Sequence, residues 1–205
     1  DHVMQRETHN SRVSDDESAF EQLFHSIIDD MPNMEWQLGH FNVELVGSHY
    51  ELLMSMTRTV ESTTEQVLVK AKHDTGFDTK YKVVWRQYSR DVIQKLILDQ
   101  NGDAYVVTRN GVRKLDENGK TRWTRRQRSV SDVQISNEFV YVTSDQTSST
   151  PAKLLYLDSV DGTLLYETVG RSGMTMKLTE NHVFAFNTDF ALKMNQMNVL
   201  RQSGG

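Results

Sequence analysis

The feature that most constrains this chain is a repeat of about 40 residues. Leu115-Asp116, Leu157-Asp158 and Met194-Asn195 recur at spacings of 42 and 37 residues, and Trp85, Trp123 and Tyr166 recur at 38 and 43. Between these markers, apolar residues alternate with polar ones in short runs, the period of a half-buried strand. Val92 to Leu98, Ala104 to Thr108, Val112 to Asp116 and Thr121 to Trp123 are four such runs. Asn101-Gly102, Asn110-Gly111 and Asn118-Gly119 separate them, and both residue types accept positive φ, as tight turns require. Val133 to Ile135, Phe139 to Thr143, Leu154 to Asp158 and Leu164 to Tyr166 repeat the plan, with a longer Ser/Thr-rich loop at Ser144 to Pro151. A last round covers Met174 to Leu178, Val183 to Phe186, Ala191 to Asn195 and a strand expected at Asn198 to Gln202.

Four short strands in about 40 residues are the mark of a propeller blade. A β-trefoil also has units of this length, but in threes, and here a fourth unit at 41–87 precedes the other three. Its Leu/Met-rich stretch from Tyr50 to Val60 keeps one parity, so it reads as a strand rather than a helix. The predicted fold is mainly β: a propeller-like array of about four four-stranded antiparallel blades over residues 41–205, partial or open, preceded by an N-terminal amphipathic helix in an acidic arm, residues 1–40. The slot aromatic is expected to fill space between neighbouring blades.

Leu157-Asp158-Ser159-Val160-Asp161-Gly162-Thr163-Leu164-Leu165-Tyr166 is similar to the Leu-Asp-x-x-Thr-Gly-Lys-x-Leu-Trp repeat of the quinoprotein-type (PQQ-like) β-propellers. Leu115-Asp116-Glu117-Asn118-Gly119-Lys120-Thr121-Arg122-Trp123 resembles the same motif, one residue shorter. The likeness covers about residues 90–200, extends weakly over 41–89 and leaves out the arm. Propellers of that family usually have seven or eight blades. With about four counted here, the resemblance implies a fragment of a longer chain, a small or open propeller, or a ring completed by two chains. An open sheet edge invites pairing, so a homo-oligomer or strand addition by a partner is an expectation. The family includes quinone-dependent alcohol and glucose dehydrogenases. Members that lack cofactor residues act as scaffolds or sensors, such as the periplasmic lipoprotein of the outer-membrane β-barrel assembly machinery and the luminal domain of the unfolded-protein sensors. That analogy implies an extracytoplasmic setting, with a cytoplasmic one left open.

The residues offer little chemistry. The chain has no cysteine, which excludes disulfides, thiolate metal sites and a cysteine nucleophile. Asp99-Gln100-Asn101-Gly102-Asp103 carries ligand-type side chains without calcium-loop spacing, and reads as a turn. The seven histidines include no HExxH pair, and the chain has neither a GxSxG elbow nor a P-loop. No cofactor, metal or catalytic residue is expected. No apolar run approaches the roughly 20 residues that cross a bilayer.

Charge divides unevenly. Residues 1–40 hold 9 acidic and 2 basic side chains, a balance of -7, and residues 41–205 hold 19 and 21, a balance of +2, which together make the net -5. Within the arm, Ser14 and Glu17 form a capping box, and Phe20, Leu23, Phe24, Ile27, Ile28 and Met31 fall on one helical stripe ended by Pro32. The spacing predicts a helix over 15–31. Two readings stay open: the stripe packs on the chain's own body, or it docks in a partner's groove. Its acidic polar face argues against an anionic membrane surface.

Lys120, Arg122, Arg125, Arg126 and Arg128 crowd around Trp123, with Arg109, Arg113 and Lys114 on adjacent strands. A base could stack on Trp123, but that residue occupies the buried repeat slot, and a pI of about 5.8 argues against nucleic acid. A solvated basic blade edge, or a surface for an acidic partner or anionic lipid, fits better. The function expected is a non-enzymatic protein-interaction or scaffold module, an extracytoplasmic assembly factor or sensor domain. Phe20, Leu23, Phe24, Ile27 and Ile28 would serve for docking, and Arg122, Arg125, Arg126 and Arg128 for charge-driven binding. The alternatives are part of a quinone-dependent or other propeller enzyme, or a structural subunit of a larger, even viral, assembly.

Overall fold

The computed structural model describes residues 37–73, 81–136 and 138–203. The helix expected at 15–31, with its docking residues Phe20, Leu23, Phe24, Ile27 and Ile28, and the turn expected at Asp74-Thr75-Gly76 lie outside the described residues.

The described chain is mainly antiparallel strand. β1 (Gln37–Val46), β2 (His49–Val60), β3 (Thr63–His73) and β4 (Tyr81–Ser89) form the first sheet in sequence order. β5 (Ile93–Leu98), β6 (Ala104–Thr108), β7 (Gly111–Leu115) and β8 (Thr121–Arg126) form the second. β9 (Val130–Ser136), β10 (Phe139–Ser144), β11 (Lys153–Asp158) and β12 (Leu164–Val169) form the third. β13 (Thr175–Leu178), β14 (His182–Phe186) and β15 (Ala191–Asn195) form a fourth sheet of three strands. The up-and-down order within every sheet is that of propeller blades, as the repeat predicts.

One expected strand is corrected. Asn198 to Gln202 lies within a helix, α1 (Met197–Ser203). The segment lacks period-2 alternation, and its Met, Leu, Arg and Gln are good helix formers. The Gln196 carbonyl accepts from the Val199 and Leu200 N–H groups, each at 3.1 Å, and starts the turn. Tyr141 Oη accepts from Met197 N–H at 3.0 Å, satisfying a donor that a helix start would otherwise strand.

The described residues divide into two compact units, those up to Val106 with Lys114–Thr121, and Val107–Arg113 with those from Arg122 onward. In the first unit the β1–β4 sheet buries both faces. One face carries Leu53, Leu68 and Trp85 into a core with Ile93, Leu96, Leu98, Ala104, Val106 and Leu115. The Asn42 side chain accepts from Leu98 N–H at 3.2 Å, and the Gln66 side chain from Ile93 N–H at 3.0 Å, so β5 is held on that face by polar contacts at both ends. The opposite face carries Val43, Leu52, Met54, Met56, Val67, Val69 and Ala71. The register explains the split: Val43 pairs with Leu52, Leu52 with Ala71, Met54 with Val69 and Met56 with Val67. Directly paired residues share a face, so alternation sorts the two sets.

The second unit has its own core of Phe139, Tyr141, Leu154, Tyr156, Met174, Met176, Val183 and Ala185. Asp132 links two sheets there, its Oδ2 accepting from Met176 N–H at 2.8 Å. Among the described residues no helix is long and apolar enough to cross a membrane.

Candidate functional site

The repeated Leu-Asp motif is a turn device. Asp116 Oδ1 accepts from the Asn118 and Lys120 N–H groups, both at 2.9 Å, and Asp99 Oδ1 does the same for Asn101 and Asp103. Asp158 Oδ1 accepts from Val160 N–H at 2.8 Å. The carboxylate stands in for a backbone carbonyl and fixes the turn. Burial pushes the Asp99 carboxyl above the ordinary range, against the pull of those N–H groups. The Asp99–Asp103 segment is thus a turn, as its sequence suggests.

Each turn then delivers a glycine, and the glycines show what the repeat is for. Gly119 has φ +84° and lies so close over the Trp85 ring that a Cβ there would stand 2.8 Å from it. Gly162 has φ +76° and lies over the Trp123 ring at the same 2.8 Å. Both indoles are buried. Each glycine covers the aromatic of the preceding motif, not that of its own. Tyr166, the third aromatic of the slot, is exposed instead. After Asn195 the chain enters α1, and no glycine follows within a turn's reach.

The arginines of the basic run sit on and just after β8, in the second unit, whereas Lys120 precedes β8 and belongs to the first. Arg122, Arg126 and Arg128 are exposed, and Arg109 is exposed in the same unit. Arg125 is half-buried on the Trp123 parity, and its Nε is buried without an acceptor among the described residues. Trp123 donates from Nε1 to the Ser159 carbonyl at 2.8 Å under its glycine, so neither its face nor its N–H is left for a base. Lys114 leaves the cluster altogether. It is buried in the first unit, 3.6 Å from Asp103 and over the Tyr105 ring at 5.2 Å. The surface is therefore a small set of arginines on β8 and the adjoining turns, smaller than the sequence implies.

A second charged group was not legible in the sequence. Lys70, fully buried on central strand β3, places Nζ 2.9 Å from Glu51 Oε1 on β2. Nζ also donates to the Gly102 carbonyl and, at 3.3 Å, to the Glu117 carbonyl. All three ammonium donors have acceptors, which is what makes a buried charge tolerable. Two of those acceptors belong to the Asp99 and Asp116 turns, so Lys70 pins both to the first sheet. Gln87 donates to the Gly119 carbonyl beside it. The only sequence signal is parity: Glu51, Leu53, Leu68 and Lys70 share the inward face of β2 and β3. His49 stands 3.9 Å from Glu51 at the rim. Among the described residues no three metal-ligating side chains converge.

No protein-family model matches the chain, and no curated protein matches it. Among solved structures, the acylaminoacyl peptidase of Pyrococcus horikoshii is similar with a TM-score of 0.52 at 6% identity, over 79% of this chain and 32% of that one. The β-propeller domain of the trilobed protease of Pyrococcus furiosus, which has an open velcro topology, gives 0.50 at 7% identity over 80% of this chain and 58% of that one. The chain spans less than two thirds of either. Identity this low speaks for fold alone. With four meandering sheets, the fold is of the β-propeller class.

Proposed function

We propose that this chain is a non-enzymatic protein-interaction or scaffold module of the PQQ-like repeat type, and that its β8 arginines receive an acidic segment of a partner protein. The observation that carries the reading is the pairing of exposed Arg122, Arg126 and Arg128 with a Trp123 whose ring and N–H are both consumed inside the fold. Arg122 and Arg126 stand on β8 and Arg128 in the turn that follows, a geometry that offers charge to an extended acidic chain at low ordering cost. The stripe of Phe20, Leu23, Phe24, Ile27 and Ile28 completes the module as its docking helix, and a partner of one such surface gains from the other by avidity.

The test is binding of a fluorescent polyglutamate peptide to the intact chain at low and moderate salt, beside a variant carrying Arg122→Glu, Arg126→Glu and Arg128→Glu. The intact chain should bind and lose about tenfold in affinity as salt screens the contact. The variant should keep its fold by circular dichroism and lose the binding. Equal affinity of the two proteins would overturn the reading. Retention of anionic vesicles without peptide binding would reassign the surface to lipid.

A further inference from the structure

The outer apolar face of the β1–β4 sheet has an unexplained degree of burial. Leu52, Met54, Met56, Val67 and Val69 at its centre are withdrawn from water to 1% exposure or less. Among the described residues, every member of their cluster, and every partly buried side chain packed against it, belongs to β1–β4. A sheet face cannot bury itself. Its side chains stand side by side on one plane and shield each other's flanks, not their tips, so a second layer is needed.

We infer that this layer is the amphipathic segment 15–31 of the same chain, seated across the sheet through Phe20, Leu23, Phe24, Ile27 and Ile28. This deepens the interaction reading, because the docking helix then has its resting place in cis and a partner must win it from the sheet. Lengths agree. The stripe from Phe20 to Met31 covers about 17 Å of helix, and four strands span about 14 Å from first axis to last. Residues 32–36 can reach about 17 Å, enough to bring the helix end back over β1, which begins at Gln37. The other internal stretch outside the described residues, 74–80, offers one large apolar side chain, Phe77, too little for this face. Charge agrees as well. At 100° per residue, Glu21 and Asp30 flank the stripe on its two sides. Arg86, paired with Val69, stands on the same face of the sheet, as does Arg58, whose guanidinium is already paired with Glu65.

The chain has no cysteine, so an introduced pair supplies the only thiols. Val83 and Leu45 are exposed on this face at its two margins, paired with Ala71 and Tyr50. We would make Leu23→Cys with Val83→Cys and Ile28→Cys with Leu45→Cys, treat each with a short bismaleimide, and read the product on denaturing gels. A link within one chain in at least one pair, with a yield independent of protein concentration, is expected. Links only between chains, or none in either pair, would overturn the inference. In parallel, Phe24→Asp with Ile27→Asp should lower Tm by roughly 10 °C or more and raise binding of a hydrophobic dye. An unchanged Tm would also overturn it. Polyglutamate binding by β8 is read separately, so the cis seat can fail while the arginine surface stands, and the reverse.

Discussion

Trp85 in the first unit and Trp123 in the second hold the same slot under the same kind of glycine turn, yet their polar surroundings differ. The Trp123 indole finishes its own hydrogen bonding by donating to Ser159. The Trp85 N–H is buried without an acceptor among the described residues, and the neighbouring turns are instead tied down by Lys70 and Gln87. Among the described residues the second unit has no buried lysine to match Lys70. Its fully buried polar side chains among the described residues are neutral: Tyr156 donates to the Asn195 carbonyl at 2.6 Å, and Gln196 donates to the Thr179 carbonyl. The repeat therefore conveys shape, an aromatic under a glycine, while each unit solves its polar satisfaction separately.

The sharpest way to break this contrast is to remove the ammonium. Lys70→Met should cost about 3–5 kcal/mol, because Glu51 is left buried and two turn carbonyls lose their donor. The double variant with Glu51→Leu should be more stable than Lys70→Met alone. Urea titrations of the three proteins would measure the coupling, and simple additivity would show the pair to be unlinked.

The shared part of the slot should respond alike in both units. Gly119→Ala and Gly162→Ala should each cost about 3 kcal/mol, since the new Cβ meets both positive φ and the indole. Gly47→Ala and Gly173→Ala have similar φ, +63° and +71°, but open space around them. They should cost only about 1 kcal/mol. Equal losses at all four sites would mean that the glycine–aromatic contact adds nothing.

The indoles sharpen the comparison further. Trp123→Phe takes the indole donor from the Ser159 carbonyl, whereas Trp85→Phe removes a donor that has no acceptor among the described residues. The first should be the more destabilising by about 1–2 kcal/mol, measured by denaturant midpoint at matched slope.

The smallest effect is alkaline. Burial pushes the Tyr141 and Tyr156 phenols upward from their ordinary value. In the unfolded chain they ionise near pH 10, while the folded chain still binds those protons. Their contribution to stability is whole below about pH 10 and is lost as pH rises through the folded values. Tm should fall more steeply above about pH 10 in the parent than in a Tyr141→Phe/Tyr156→Phe variant. Parallel curves would remove the tyrosines from the account.

Strand order and turn positions were legible because period-2 alternation and Asn-Gly pairs are local signals. Each of the fifteen strands overlaps a run that shows such signals; β13 to β15 show how short such runs can be. The α1 helix was missed because five residues of mixed polarity carry no period of their own, and the deciding contact comes from Tyr141, more than fifty positions earlier. For the same reason Lys114 was counted with the arginines. Nothing local separates it from Arg113, yet alternation turns one inward to Asp103 and leaves the other half-exposed. Lys70 was hidden by its neighbours, since a lysine between Val69 and Ala71 reads as the polar half of an alternating strand. Only the tertiary arrangement brings two turn carbonyls to it.

The offset between glycine and aromatic bears on how such a chain can be cut and rejoined. A segment excised from one sheet to the next, such as β9 through β12, would carry Gly162 without the indole that it covers, and leave Trp123 bare in the remainder. The transferable piece runs from one aromatic to the next glycine, 85–119 or 123–162. Duplications, grafts or permuted termini placed at those joints would keep every lid on its ring.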